Sequence, residues 1–294
     1  MKIVIFTRTG FHHTSFINRL QERFEIACVV REAYPEARRE SLFRAAVKNA
    51  LKRDGRRKIK DDRFLREFHE KYSAGFRCHR MLKDFLTAPF DLLIERPGTK
   101  YLNVRCGEIN TDGFASFLKG LGPDMIAVLG SSVISPHIIS IPVVGTINLH
   151  SGLSPYYRGT WSYGWPIVND EPEYIGVTVH YVDPGIDTGD IIYQTRPALD
   201  EADDLNAIFL KVVAEGIELV AAAAEGMIEK GAIASWKQPQ GIGRLYLSKD
   251  FNADAARFCL SRLDGGVIGR YNANKQSADA RVPLSGYVPP RLFR

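Results

Sequence analysis

Asn148, His150 and Asp187 are the residues of this 294-residue chain whose types and spacing could do chemistry. Asn148 and His150 flank Leu149 at the end of an apolar run, residues 145–149, that reads as a strand. Residues two apart in a strand face the same side, so the amide and the imidazole project together. In open α/β sheets the carboxyl edge, where this strand ends, is where ligands bind. Asp187 lies in a carboxylate-rich turn, DPGIDTGD from Asp183 to Asp190, expected after another strand. An amide that donates to a carbonyl oxygen, an imidazole that moves or stabilises charge, and a carboxylate that orients it together suit acyl transfer. Singly each piece is weak, because Asp and Gly favour turns on their own and an Asn-x-His at a strand end is commonly structural.

Several elements must position these three. Residues 2–7 are predicted as a first strand. A helical stripe of Phe16, Ile17, Leu20 and Phe24 follows, with Thr14 or Ser15 as its N-cap. Residues 24–30 read as a second strand, and this β-α-β opening predicts a parallel sheet. Residues 36–88 are predicted helical in three pieces, broken near Gly55 and Gly75, too long for a crossover and so an insertion. Residues 91–95 are expected as a strand. Phe114, Phe117, Leu118 and Leu121 mark a helix closed by Gly122-Pro123. Strands follow at 125–129, 145–149, 175–182 and 190–195, then a long helix over 203–230 started by Asp203 or Asp204. The expected fold class is α/β: a Rossmann-like, mostly parallel sheet flanked by helices. Residues 1–230 are expected as the catalytic domain and 231–294 as a small C-terminal extension.

Composition narrows the function classes. Hydrophobic residues make up 45% and charged residues 25%, which excludes a disordered chain. No apolar run reaches the ~18 residues of a membrane span, so no membrane partner is expected. The apolar stretch near Met1 is too short for a signal peptide. Cys28, Cys78, Cys106 and Cys259 form no CxxC pair. Reduced thiols in the cytoplasm are the expectation. The net charge of +5 is uneven: residues 36–80 hold 15 Lys/Arg and 7 Asp/Glu, so 15 − 7 = +8, and the rest carries 5 − 8 = −3. Such a run suits phosphate-rich partners. The stripe of Leu42, Phe43, Ala46, Val47, Ala50 and Leu51 favours instead a helix with one solvated face. Walker A, HExxH, GxSxG and EF-hand patterns do not occur. The first loop, residues 7–13, has the single glycine Gly10, which disfavours a dinucleotide. His12-His13 has no carboxylate or cysteine at ligand spacing, so no metal is expected.

Read in order, the pieces between Gly145 and Ile192 resemble the folate-dependent formyltransferases, which include methionyl-tRNA, glycinamide ribonucleotide and sugar N-formyltransferases. Asn148, His150, Pro155, Arg158, Gly159, Gly176, Val177, Thr178, His180, Asp187, Thr188, Gly189 and Asp190 stand in register with that family's pattern, and the resemblance covers about residues 120–230. It implies the formyltransferase fold and transfer of a formyl group from 10-formyltetrahydrofolate to a primary amine, without a metal. It implies that Asn148 hydrogen-bonds the formyl oxygen, that His150 stabilises the oxyanion and assists proton transfer, and that Asp187 pairs with His150 and receives the proton. By the same resemblance Gly130, Ser132, Ile134 and Asp183 line the folate slot, and Gly10, Tyr157 and Arg158 contact the acceptor. Gly152-Leu153-Ser154 departs from the family's usual Ser-Leu-Leu, and residues 36–100 match no family element. Tyr156, Tyr157, Arg158, Gly159, Thr160 and Trp161, with Tyr163 and Trp165, resemble the sugar enzymes more than the tRNA ones. The expected acceptor is therefore a small-molecule amine, a nucleotide-linked amino-sugar or a similar compound. A nucleic-acid partner is expected only if the enzyme is of the tRNA type. The alternatives are a methionyl-tRNA or glycinamide ribonucleotide enzyme, a formyl-folate hydrolase, and a non-catalytic folate- or nucleotide-binding relative.

Overall fold

The run IVIFTR forms β1 (Ile3–Arg8), buried from Ile3 to Thr7. Both faces of a central parallel strand are covered, so its sequence is continuously apolar rather than alternating. A computed structural model describes residues 1–33, 55–74, 92–239 and 241–289. Helix α1 (Phe11–Gln21) returns the chain to β2 (Ile26–Ala33), which pairs in parallel with β1. β3 (Lys100–Arg105) adds to β2 at the sheet edge, and β4 (Met125–Val128) and β5 (Gly145–His150) extend the other side, all in parallel. β7 (Val177–Tyr181) and β8 (Ile191–Thr195) finish the sheet antiparallel. The order is β3-β2-β1-β4-β5-β7-β8, a mostly parallel seven-stranded sheet as the sequence predicts.

Two apolar clusters cover its faces. On one, α1 and α6 (Leu205–Lys230) bury Phe16, Ile17, Leu20, Ile208, Val212 and Val220 against Ile3, Ile5 and Ile147. Asp204, one of the two expected caps, accepts from Ala207 N at the start of α6. Gly216 lets this helix approach closely: a Cβ there would lie 2.8 Å from both Leu149 and Val177. On the other face, α3 (Asp112–Leu121) packs Phe114 and Leu118 on Val4, Phe6 and Ile126, and Gly122 closes it at φ +61°.

Some expectations need correction. α1 starts at Phe11 with Gly10 as N-cap, so neither Thr14 nor Ser15 caps it. Their hydroxyls donate back to the carbonyls of Gly10 and Phe11, four residues earlier, as Thr and Ser do inside a helix. Residues 92–95 form no strand. Leu92 and Ile94 instead bond the Asn18 side chain on α1. The edge position belongs to Lys100–Arg105, whose mixed polarity hides it from an apolar-run search. Gly55 opens a helix, α2 (Gly55–His69), continued by a π-turn (Glu70–Ala74), instead of breaking one. The remainder of the basic insertion, with the break expected near Gly75, lies outside the described residues.

After α6 the chain returns to the sheet. Trp236 exchanges backbone hydrogen bonds with Ile191, and β9 (Arg244–Tyr246) pairs in parallel with β6 (Tyr157–Gly159). Helix α7 (Ala253–Asp264) then packs beside α2 and the short α5 (Trp165–Val168).

Candidate active site

β5 ends at the carboxyl edge with Asn148 and His150 on one side, and antiparallel β7 sets His180 directly opposite Asn148. The chain leaves β7 into a turn braced by Asp183, whose Oδ1 accepts from Gly185 N and Thr188 Oγ1. Within it Asp187 adopts φ +52°. Gly189 lies against the Tyr181 carbonyl, where a Cβ would sit 1.8 Å from the oxygen. The turn therefore doubles back and carries the Asp187 carboxylate onto the strand end.

Three sides meet that carboxylate. Asn148 Nδ2 donates to Oδ1 at 3.3 Å, and Gly159 N donates to Oδ2 at 2.8 Å. His150 Nδ1 lies 3.3 Å from Oδ2, and His180 Nε2 lies 3.4 Å from Oδ1. A carbonyl only accepts, so the 2.7 Å contact of His150 Nε2 with Tyr157 O assigns that nitrogen the proton. His180 Nδ1 likewise donates to Tyr181 O at 2.7 Å, which leaves its Nε2 to accept from Asn148 Nδ2 at 3.1 Å.

Burial pushes the His150 pKa below the ordinary 6.5, opposed by Asp187 and the Tyr157 carbonyl, so the ring is neutral near pH 7. Burial alone would raise the Asp187 carboxyl. The histidines and the Gly159 N–H outweigh it and hold the group below the usual carboxylate range. The pair is thus a carboxylate facing the unprotonated Nδ1 of a neutral imidazole, an arrangement that takes up one proton.

A cleft of about 750 Å³ opens on this cluster. Asn148, His150 and Asp187 line it, and so do Gly130, Ser132, Ile134 and Asp183, all from the sequence prediction. Gly10, Tyr157 and Arg158 are not brought to its wall. Gly10 caps α1 at φ +137°. The Tyr157 ring is buried, its hydroxyl bonded to Glu171, Asn169 and Arg244, and only its carbonyl reaches the site. Arg158 Nε is buried without a hydrogen-bond partner.

Sequence reasoning missed two supports. Glu32, 2% exposed at the end of β2, accepts from Ser132 N, Ser132 Oγ and Gly107 N, and so pins the 130–134 loop. A carboxylate ending an apolar strand is the signal that could have found it. Gln238 donates to the carbonyls of Asp187 and Gly189, and nothing in its sequence context marks it.

His12 and His13 lie in the first turn of α1 rather than in a loop, and both line the cleft. Thr7 Oγ1 donates to Leu129 O at 3.0 Å, so His13 Nδ1 donates to Thr7 Oγ1 at 2.8 Å. Burial lowers both imidazoles, His12 to about 4. Among the described residues no group of His, Cys, Asp and Glu is placed to hold a metal ion, and no helix is long and apolar enough to cross a membrane.

Residues 94–223 match the family model described as formyl transferase. A methionyl-tRNA formyltransferase from Pelotomaculum thermopropionicum is 33% identical over 140 residues, which cover 45% of this chain and 44% of that protein. One from Clostridium tetani is 35% identical over 174 residues, covering 59% and 51%. The chain thus spans about half the length of these relatives. Among solved structures, a 4-N formyltransferase from Francisella tularensis superposes with TM-score 0.51 at 18% identity, covering 85% of this chain and 77% of that one. A sugar N-formyltransferase from a Shewanella strain gives TM-score 0.51 at 14% identity, with 90% and 87% covered. At these identities the likeness is one of fold. The formyltransferase resemblance and fold read from the sequence are borne out.

Proposed function

We propose that this chain, whose residues 94–223 match the formyl transferase family, moves a formyl group from 10-formyltetrahydrofolate to a primary amine. The observation that carries the reading is the convergence of Asn148, His150 and Asp187 on one cleft whose opposite wall is the 130–134 loop.

The residues fit a folate donor. Val128, Ile134 and Val182 line the cleft with apolar side chains, and residues 130–134 with Asp183, Gly185 and Ile186 line it too, so main-chain polar groups there would recognise a flat heterocycle. Gly130, Ser132, Ile134 and Asp183 would hold the ring, and the bound donor supplies the activated formyl group.

An alkylammonium is not a nucleophile, so the site must take a proton as the amine attacks. Asp187 and His150 Nδ1 would share that proton while the amine nitrogen bonds the formyl carbon, and would pass it to the donor nitrogen as the old carbon–nitrogen bond breaks, so that the products are the formamide and tetrahydrofolate. Negative charge develops on the formyl oxygen, and Asn148 Nδ2 answers it by exchanging its long 3.3 Å contact with Asp187 for that oxygen. His180 holds the other Asn148 hydrogen and keeps the amide oriented.

For the acceptor we favour a nucleotide-linked amino-sugar or another small amine, used in the cytoplasm. Trp161, Tyr163, Tyr72 and Phe209 line the cleft and give it the aromatic surface that suits a sugar. Methionyl-tRNA is the second reading, favoured by the names of the relatives at 33–35% identity. Formyl-labelled 10-formyltetrahydrofolate incubated with the protein, a panel of amines and a no-amine control tests the proposal. Label appearing in an amide, only with an amine present, supports it; label appearing as formate at the same rate with and without amine defeats it.

A further inference from the structure

The carboxyl-terminal segment beyond the family match reaches the site at two places. Gln238 is buried, and its Nε2 donates to Asp187 O at 3.0 Å and to Gly189 O at 2.7 Å. Asp187 stands at φ +52°, in the left-handed region that non-glycine residues hold only when their surroundings impose it. Gln238 thus holds the carbonyl of Asp187 itself and the one two residues further along the turn. The exchange between Trp236 and Ile191 anchors Gln238 to the sheet.

The second contact is β9. It pairs with β6, and Tyr246 O accepts from Thr160 N at 2.8 Å. β6 in turn supplies Gly159 N to Asp187 Oδ2 and Tyr157 O to His150 Nε2. One stretch of chain therefore supports Asp187 from behind and the strand that faces its carboxylate.

We propose that Gln238 is a positioning residue that holds the Asp187 carboxylate against His150 and Asn148, so that the segment carrying it is part of the active site. The kinetic arm of its test rests on the formyl-transfer reading; the spectroscopic arm does not. Gln238→Met keeps the side-chain length and removes both N–H groups. Gln238→Asn, which draws the amide back from both carbonyls without adding charge, serves if the first variant does not fold.

The charged and titratable groups that face His150 are Asp187 from the turn, His180 from β7 and Arg158 from β6. Asp187 raises the His150 pKa, so its displacement lowers the titration midpoint, followed by nitrogen-15 NMR of the imidazole in the full-length protein. The expected result is a midpoint below that of the wild type. With it, kcat for formyl transfer falls about 10- to 100-fold, as for a misplaced catalytic group, while the KM for 10-formyltetrahydrofolate stays within about twofold. An unchanged His150 midpoint, whether or not the melting temperature falls, overturns the proposal. If the wild type formylates no amine, the functional reading fails while the His150 titration still decides the role of Gln238.

Discussion

His150 donates its Nε2 proton to the carbonyl oxygen of Tyr157 at 2.7 Å. The acceptor is main chain, so the tautomer is fixed by the path of β6 and not by a side chain. Nδ1 is left to face Asp187 at 3.3 Å. The same strand supplies Gly159 N to Asp187 Oδ2 at 2.8 Å, so β6 sets both the tautomer of His150 and one contact of the carboxylate it faces.

Tyr157 therefore serves the site through its backbone, and Tyr157→Phe separates this from a direct substrate role. The substitution removes a buried hydroxyl bonded to Glu171, Asn169 and Arg244. We expect a stability loss of about 1–3 kcal/mol by denaturant unfolding, with the KM for the amine unchanged. A large rise in that KM would return the Tyr157 side chain to the acceptor site.

Gly152→Ala should disable the site by crowding. The added Cβ would lie 2.4 Å from Ser162 Cβ and 2.7 Å from His150 Nε2. We expect about 1–3 kcal/mol of overpacking strain and roughly a 10²-fold lower kcat from the displaced ring. Wild-type turnover would mean that the ring position at Tyr157 O is unimportant.

Glu32→Ala leaves Gly107 N, Ser132 N and Ser132 Oγ without their acceptor. The 130–134 wall of the cleft should loosen. The expected signature is a KM for 10-formyltetrahydrofolate raised by about tenfold with little change in kcat, since binding common to ground and transition states is lost. A fall in kcat at constant KM would place Glu32 in the chemistry instead.

Stability should decline in mild acid. Burial depresses His12, His13 and His150 in the folded chain, so protons bind more readily to the unfolded state. Their contribution is complete above the unfolded value near 6.5 and is lost as pH falls toward the folded values, about 4 for His12. Asp187, also depressed, adds stability that is lost only below the ordinary carboxylate range. His12→Gln should flatten the fall in melting temperature between pH 6.5 and 4. Equal slopes in variant and wild type would contradict the burial of a neutral His12.

Much of the fold is legible in the sequence because buried parallel strands read as apolar runs: 125–129 and 145–149 stand out, and the Asn-x-His and DPGIDTGD pieces mark strand end and turn. Lys100–Arg105 escaped notice because an edge strand, half-exposed, needs no apolar run. The start of α1 was misplaced because Thr14 and Ser15 resemble caps but bond inside the helix. The partners of Glu32 and Gln238 lie about 100 and 50 residues away in the chain, so a carboxylate ending an apolar strand marks Glu32 but not what it holds, and nothing local marks Gln238. Tyr157 reaches the cluster through its carbonyl oxygen, which no side-chain pattern marks.

The most direct test of the account is single-turnover formyl transfer by wild type, Asn148→Ala and Asp187→Asn, with labelled 10-formyltetrahydrofolate and an amine that the wild type accepts. Asp187→Asn should lose about 10²- to 10⁴-fold and Asn148→Ala about 10²- to 10³-fold, both with folded protein and near-normal donor binding. Transfer by both variants at rates near wild type would contradict it.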